Sequence, residues 1–309
     1  MSEKNPLHVL PNHSEKRSLG RFPSWLHRTL PAGNELKRTQ AILRKNQLNT
    51  VCEEAKCPNR LECYSRKTAT FLVLGKSCTR ACGFCEIDFA KHPAAPDSEE
   101  PRRIAQSVKE LGLSHVVITM VARDDLKDHG ACHIAAIVKV LRSTCAGVTV
   151  ELLTSDFGGD RAALDTALAT NPEIFNHNLE TVRRLTPRVR HKATYERTLS
   201  LLSYVSGQKK AAFVKSGLMV GLGEQPTEVE AALVDLHAVG CSIVTIGQYL
   251  QPSRRKLLVK SFVTPEQFAH YEAYGKALGI PHLYAGPFVR SSYNAALLKD
   301  QAFRFSSGG

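Results

Sequence analysis

From residue 69 onward, apolar runs alternate with amphipathic stretches, and that alternation constrains the fold more than any other feature of the chain. The runs at 69–75 (ATFLVLG), 115–120 (HVVITM), 148–153 (VTVELL), 173–178 (EIFNHN), 212–222 (AFVKSGLMVGL) and 241–250 (CSIVTIGQYL) read as six strands buried on both faces. Between them, 101–112 gathers Ile104, Val108 and Leu111 on one helical face, and 130–146 gathers Ile134, Ile137, Val138 and Leu141. Further helical patterns fall at 160–170, 194–205 and 226–240. Strand followed by helix, repeated along the chain, implies an α/β fold with a parallel sheet, closed or partly closed as a barrel. Reactive residues of such a fold belong at the carboxyl ends of its strands.

The cysteines obey that rule. Cys78, Cys82 and Cys85 follow the spacing C-x3-C-x2-C on the loop leaving the first run, and Cys52, Cys57 and Cys63 form a second triplet just upstream. Six of the nine cysteines therefore lie within 34 residues. In a reducing compartment such clusters are metal ligands more often than disulfides. Three thiolates can hold three irons of a four-iron, four-sulfur cube and leave the fourth for a small molecule. A zinc loop is the plainer alternative, but zinc sites present ligands that total four, and here the count is three and three. Cys132, Cys145 and Cys241 stand singly in apolar stretches and read as core residues.

The first fifty residues are polar and punctuated by proline, with one helical candidate at 34–47 and a lone aromatic anchor, Trp25. They hold nine Lys/Arg against three Glu, half of the chain's net charge of +12. That charge suggests an acidic partner, with a solvated tail as the bland alternative. No secretory signal and no membrane-spanning run is visible, so a cytoplasmic address is expected.

C-x3-C-x2-C with an aromatic, Phe84, before its last Cys resembles the signature of radical S-adenosylmethionine enzymes. With the upstream triplet the resemblance narrows to the lipoyl synthase family. It continues through the segments TMVARDDL, ELLTSDF, FNHNLETV, KATYERTL, SGLMVGLGE, TIGQYLQP and GPFVRSSYNA, from about residue 30 to 297. The resemblance implies a partial (β/α)6 TIM-type barrel over 68–280. It adds a basic arm with an auxiliary cluster-binding extension over 1–67, and a carboxy-terminal segment, 281–309, that folds back to supply a cluster ligand. It further implies two [4Fe-4S] clusters and S-adenosylmethionine as cofactors. The cube on Cys78, Cys82 and Cys85 would cleave S-adenosylmethionine to a 5'-deoxyadenosyl radical. The cube on Cys52, Cys57 and Cys63, with Ser292 as fourth ligand, would give up two sulfurs to carbons six and eight of a protein-bound octanoyl chain.

The implied partners are an octanoylated lipoyl carrier domain (a dehydrogenase-complex acyltransferase subunit or a glycine-cleavage carrier protein), a one-electron reductant and a cluster-assembly carrier. Neither membrane nor nucleic acid is expected. Phe84, Arg123, Asn176, Asn178, Glu180, Gly221 and Gly223 are the implied contacts to S-adenosylmethionine, with Gly217 in the same glycine-rich strand end.

Bland alternatives stand beside several of these. Asp124 and Asp125 could be an acidic helix cap, Ser291 and Ser292 could cap a helix suggested by YNAALL, and His177, between the two asparagines, reads as a satisfied core histidine. His129 stands where the family favours glycine, and a loop requiring positive φ there would be strained by it. Two other functions compete: a radical enzyme acting on RNA, which the charge favours but the absence of a separate RNA-binding domain does not, and a closed-site iron–sulfur electron carrier, which has no use for six strand-end loops.

Overall fold

The computed structural model describes residues 22–27, 34–67 and 69–292. In chain order the strands are β1 (Asn49–Thr50), β2 (Thr70–Val73), β3 (Ser77–Cys78), β4 (Asp88–Phe89), β5 (His115–Met120), β6 (Thr149–Leu153), β7 (Ile174–Asn176), β8 (Phe213–Val220), β9 (Ile243–Gln248) and β10 (His282–Gly286). The α-helices are α1 (Glu35–Lys45), α2 (Val51–Glu54), α3 (Arg60–Ser65), α4 (Glu100–Leu111), α5 (Ala131–Thr144), α6 (Arg161–Leu168), α7 (Thr186–Val189), α8 (Tyr195–Gln208), α9 (Pro226–Ala238) and α10 (Pro265–Leu278).

The main sheet runs β1-β2-β5-β6-β7-β8-β9-β10, and every pair in it is parallel except β1 with β2. All six expected strands are present, and the partial TIM-type barrel is the architecture. A seventh parallel strand, β10, extends it beyond the expected six and lies inside the segment read as carboxy-terminal. Its residues, HLYAG, carry no β-branched side chain, so the usual strand signal is missing; pairing with β9 from His282↔Ile243 to Gly286↔Gly247 makes it a strand.

The helices bury the faces their periodicity dictates. Ile104, Val108 and Leu111 of α4 and Ile134, Ile137, Val138 and Leu141 of α5 are all buried. Cys145 and Cys241 are core residues as expected, but Cys132 is exposed. It is the second residue of α5, one step past the buried Ala131, and so falls on the helix's outer face. Trp25, expected as an anchor, is 37% exposed, whereas its neighbour Leu26 is buried.

The amino-terminal extension shares the barrel's core. Leu43, Leu48, Cys52 and Tyr64 belong to the same cluster as Phe71 and Ile118. Tyr64 is fully buried, its hydroxyl 2.7 Å from Thr50 Oγ1, while its carbonyl accepts from Thr39 Oγ1. Inside the barrel, Lys215 Nζ donates to both oxygens of Glu151, at 3.0 and 3.1 Å, with neither side chain exposed. Burial alone would raise Glu151's pKa, but the Lys215 charge, with His115 and the Asn176 hydrogen bond, together hold the carboxylate down to about 2.

Candidate active site

The Cys78–Cys85 loop leaves the end of β2 and is fastened by main chain. β3 pairs with β4, Ala90 N donates to Cys78 O, Thr79 N to Ala122 O and Gly83 N to Val189 O. A charged network missed by the sequence reading adds to this. Arg80, between the first two cysteines, donates from Nε and Nη2 to Asp124 at 2.9 and 2.7 Å, and its Nη1 lies 2.6 Å from Asp156. Asp156 also accepts from Arg197 at 3.1 Å. Burial opposes the charge on Arg80, but the Asp124 and Asp156 carboxylates reverse that and raise its pKa. The signal was present in CTRAC and TSDF, but only folding brings those segments together.

Asp124 and Asp125 are therefore not a helix cap. Asp124 is spent on Arg80 and Thr79, and Asp125 pairs with Arg123. The start of α5 is served by Asp128, whose carboxylate accepts from Gly130 N and Cys132 N. Arg123 is 1% exposed, and its Nη1 donates to Leu74 O at 3.2 Å, which ties the loop after β5 to the end of β2. His129 does adopt positive φ, +52°, and its ring packs beside Gly158.

At the end of β7 the expected cofactor residues gather. Asn176 donates to Glu151 at 2.7 Å, while Asn178 donates to Glu180 at 3.0 Å and to Ser291 Oγ at 3.3 Å. Their remaining acceptors, Asn176 Oδ1 and Asn178 Oδ1, are buried with no partner among the described residues, as is Thr154 Oγ1. Buried polar atoms left unpaired call for an explanation, and a ligand or an ordered water at the end of β7 would supply one. Glu180 sits at φ +68°, with Glu180 N bonded to Gly217 O and Met219 N to Glu180 O, and burial pushes its carboxyl up. A non-glycine residue held there is the kind of backbone outlier that clusters at functional sites. A Cβ at Gly217 would come within 3.0 Å of Asn178 Oδ1, so the glycine leaves that amide its room.

His177 is a core histidine, as read: it is buried, with Nδ1 2.8 Å from Thr154 O and Nε2 3.0 Å from Arg190. Gly221 has φ +100°, and a Cβ there would meet Gln248 and Ser261. Its N–H and that of Leu222 are taken by Glu224, so this turn satisfies itself; Gly223 follows at φ +106°. Phe84 is half-buried against the core.

The second triplet lies on α2, α3 and the turn between them, beside the first. Lys56, next to Cys57, bonds Glu86, next to Cys85. Asn59 Nδ2 donates to Phe288 O at 2.7 Å, so the segment after β10 crosses to this loop and places Ser291 at Asn178, with Ser292 following. Tyr293 and the expected YNAALL helix lie outside the described residues.

Both triplets fit the cluster chemistry expected of them. Each is an all-sulfur set, the donor type that selects iron–sulfur clusters. Burial pushes the thiol of Cys52 up to about 12, Cys82 to about 11 and Cys85 to about 12, and raises Cys78, so the thiolates need a bound cation to compensate them. Among the described residues no three His, Cys, Asp or Glu side chains close around a single ion, whose sulfur ligands would sit about 2.3 Å from it. No helix among them is long and apolar enough to cross a membrane.

Residues 72–236 match the radical SAM superfamily, and residues 8–57 match the N-terminal domain of lipoyl synthase of that family. The lipoyl synthase of Protochlamydia amoebophila (strain UWE25) is 60% identical over 96% of this chain and 96% of its own length. That of Chlamydia felis (strain Fe/C-56) is 53% identical over 92% and 90%. Among solved structures, methylornithine synthase (PylB) aligns at TM-score 0.53 and 14% identity, over 83% of this chain and 72% of that one. Streptococcus suis SuiB bound to precursor peptide SuiA aligns at 0.55 and 11%, over 81% and 52%. At such identities these two speak for the partial barrel alone. The curated relatives match nearly end to end and across both cysteine triplets, and the chain belongs to the lipoyl synthase family of radical S-adenosylmethionine enzymes.

Proposed function

We propose that the chain inserts two sulfurs at carbons six and eight of an octanoyl-lysine on a lipoyl carrier domain, using two [4Fe-4S] clusters. The observation that carries this is that two separate all-cysteine loops are joined by Lys56 and Glu86 at one end of one barrel, with the carboxy-terminal segment laid against the second loop at Asn59 and against Asn178 at the end of β7. When bound, the clusters and S-adenosylmethionine supply the electron, the 5'-deoxyadenosyl radical and the sulfur, none of which a side chain can provide.

The chain's own part is to hold and to orient. Cys78, Cys82 and Cys85 hold the radical-generating cube at three corners, leaving a fourth for S-adenosylmethionine. Asn178 and Glu180, with their neighbour Asn176, orient that molecule at the end of β7, where the unpaired amide oxygens await donors. Phe84, Gly221 and Gly223 shape the walls, and Arg123 works from behind by fixing the loop after β5. Cys52, Cys57 and Cys63 hold the sulfur-donating cube, and Ser292 takes its fourth iron. The carrier domain, a one-electron reductant and a cluster-assembly carrier are the partners, and the thiolate sets suit a reducing, cytoplasmic setting.

Anaerobic reconstitution, an iron and sulfide count, then reduction with S-adenosylmethionine and an octanoyl-lysine peptide test the reading. Sulfur in the peptide is the expected result, and its absence overturns the function. Ser292→Ala is expected to change the auxiliary cluster's spectrum and lower product about tenfold, the scale of a lost supporting contact at a metal site. An unchanged spectrum and yield would remove Ser292 from the ligand set.

A further inference from the structure

Lys56 immediately precedes Cys57, and Glu86 immediately follows Cys85. Lys56 Nζ donates to Glu86 Oε1 at 2.6 Å, and Ser253 Oγ donates to Glu86 Oε2 at 2.8 Å. The Glu86 side chain is only 5% exposed, although its lysine partner reaches solvent. The segment carrying Ser253 is itself strapped to the cysteine loop: Leu257 N donates to Gly83 O at 3.0 Å, and Tyr249 OH to Leu257 O at 2.7 Å. One carboxylate thus joins three segments, namely the turn after α2, the end of the Cys78–Cys85 loop and the strap at 253–257.

We propose that Glu86 is a positioning residue that clasps the two cysteine loops together and so sets the spacing between the radical source and the sulfur donor. An exposed ion pair would do little, but both oxygens of this carboxylate are engaged at once, by Lys56 and by Ser253, and its side chain is itself largely covered. Lys56 itself occupies backbone of φ +49° at the turn that ends α2, with Cys57 N bonded to Cys52 O. Glycine is the usual residue at such a helix end, and a lysine there has its use in the side chain. Spacing matters because a misplacement of about 1 Å can cost on the order of 100-fold in a reaction between positioned groups.

The inference rests on the proposed function, and its test separates the two. Glu86→Gln and Lys56→Met holoenzymes are reduced with S-adenosylmethionine and octanoyl-lysine peptide, and 5'-deoxyadenosine and thiolated product are counted in a single turnover. Amide hydrogen exchange at 52–57 and 251–257 is measured on the same proteins. We expect 5'-deoxyadenosine formation to persist, the ratio of product to 5'-deoxyadenosine to fall at least tenfold, and exchange to rise in both segments. The exchanged pair Lys56→Glu/Glu86→Lys should recover part of the ratio. An unchanged ratio with unchanged exchange overturns the clasp. So does parallel loss of 5'-deoxyadenosine and product, which would give Glu86 a role in radical formation alone. Should the unmodified enzyme insert no sulfur, the proposed function fails, and the exchange rates alone decide the clasp: faster exchange in the variants supports it and unchanged exchange overturns it.

Discussion

The two cysteine loops carry the same number of thiols but are held in different ways. The loop at 78–85 is knitted into the barrel by backbone: β3 on β4, Thr79 to Ala122, Gly83 to Val189 and Leu257 to Gly83. Behind it stands the Arg80 pair with Asp124 and Asp156. The loop at 52–63 makes its backbone–backbone bonds locally, Cys57 to Cys52, Arg60 to Cys57 and Cys63 to Asn59, and its ties to the barrel run through side chains, with Cys52 buried in the core and Lys56 and Asn59 reaching Glu86 and Phe288. Backbone pairing resists local opening better than side-chain contacts do. Under the proposed function, the difference suits a site that would keep its cluster through each turnover beside one that would give its cluster up.

The sharpest way to break this comparison is to remove one thiol from each loop. Cys78→Ala is expected to abolish 5'-deoxyadenosine formation, whereas Cys52→Ala should still form it and yield no dithiolated product. Lipoyl product from the Cys52 variant would end the sulfur-donor role. A smaller effect is expected at Asp124→Asn, which strips Arg80 of a charge partner without touching a ligand. Cluster affinity at the Cys78 loop should fall about 10- to 100-fold, the range for supporting partners of metal ligands, with the auxiliary cluster unaffected. Iron retention after a chelator challenge reads this; equal loss from both sites would mean that the two loops are not independently held.

Smaller still is the effect of charge. If the +12 surface steers an acidic carrier domain, raising salt from roughly 0.05 to 0.3 M should slow the reaction several-fold with the whole domain and hardly at all with a short octanoyl peptide. Equal salt dependence would remove the electrostatic explanation.

The smallest effect is one of pH. Burial first, and then the Arg190 charge, lower His177 from 6.5 to about 3. The unfolded chain therefore binds a proton near pH 6.5 that the folded chain refuses until near pH 3. His177 is neutral to stability above that window and subtracts from it as pH falls from 6.5 towards 3. Its slope is at most about 1.4 kcal/mol per pH unit. His177→Gln should flatten the fall of Tm between pH 6.5 and 4.5. Asp156, which burial alone would raise, is held down to about 2 by Arg80, His177 and Arg197 together, and acts in a separate window: its contribution is present above pH 3.8 and lost as pH falls through 2. An unaltered slope in the variant would place the acid sensitivity elsewhere.

Much of the site was readable because cysteine is scarce and its spacing is local. The triplets, the loop after β2 and the core reading of His177 all rest on short-range pattern. Residues whose partners lie far along the chain were not readable. Arg80 meets Asp156 and Lys215 meets Glu151 only across strands, and nothing local to Arg123 announced its bond to Leu74 O, 49 residues back along the chain. The Asp124 and Asp125 pair carried a helix-cap pattern, yet the cap fell to Asp128, three residues closer to α5 than Asp125.

Periodicity alone determined that this chain alternates strands and helices, because burying an apolar stripe requires that spacing whatever the neighbours are. The spacing of cysteines likewise determined that six of the thiols fall into two triplets. Tertiary structure decided that their loops are neighbours. It did so by making HLYAG a strand through its pairing with β9, carrying Phe288 to Asn59 and Ser291 to Asn178, and closing Lys56 onto Glu86. Those contacts span 229, 113 and 30 residues of chain for Asn59, Asn178 and Lys56 respectively. A side chain's choice of partner at such separations depends on where the folded backbone delivers both groups, which no local pattern encodes.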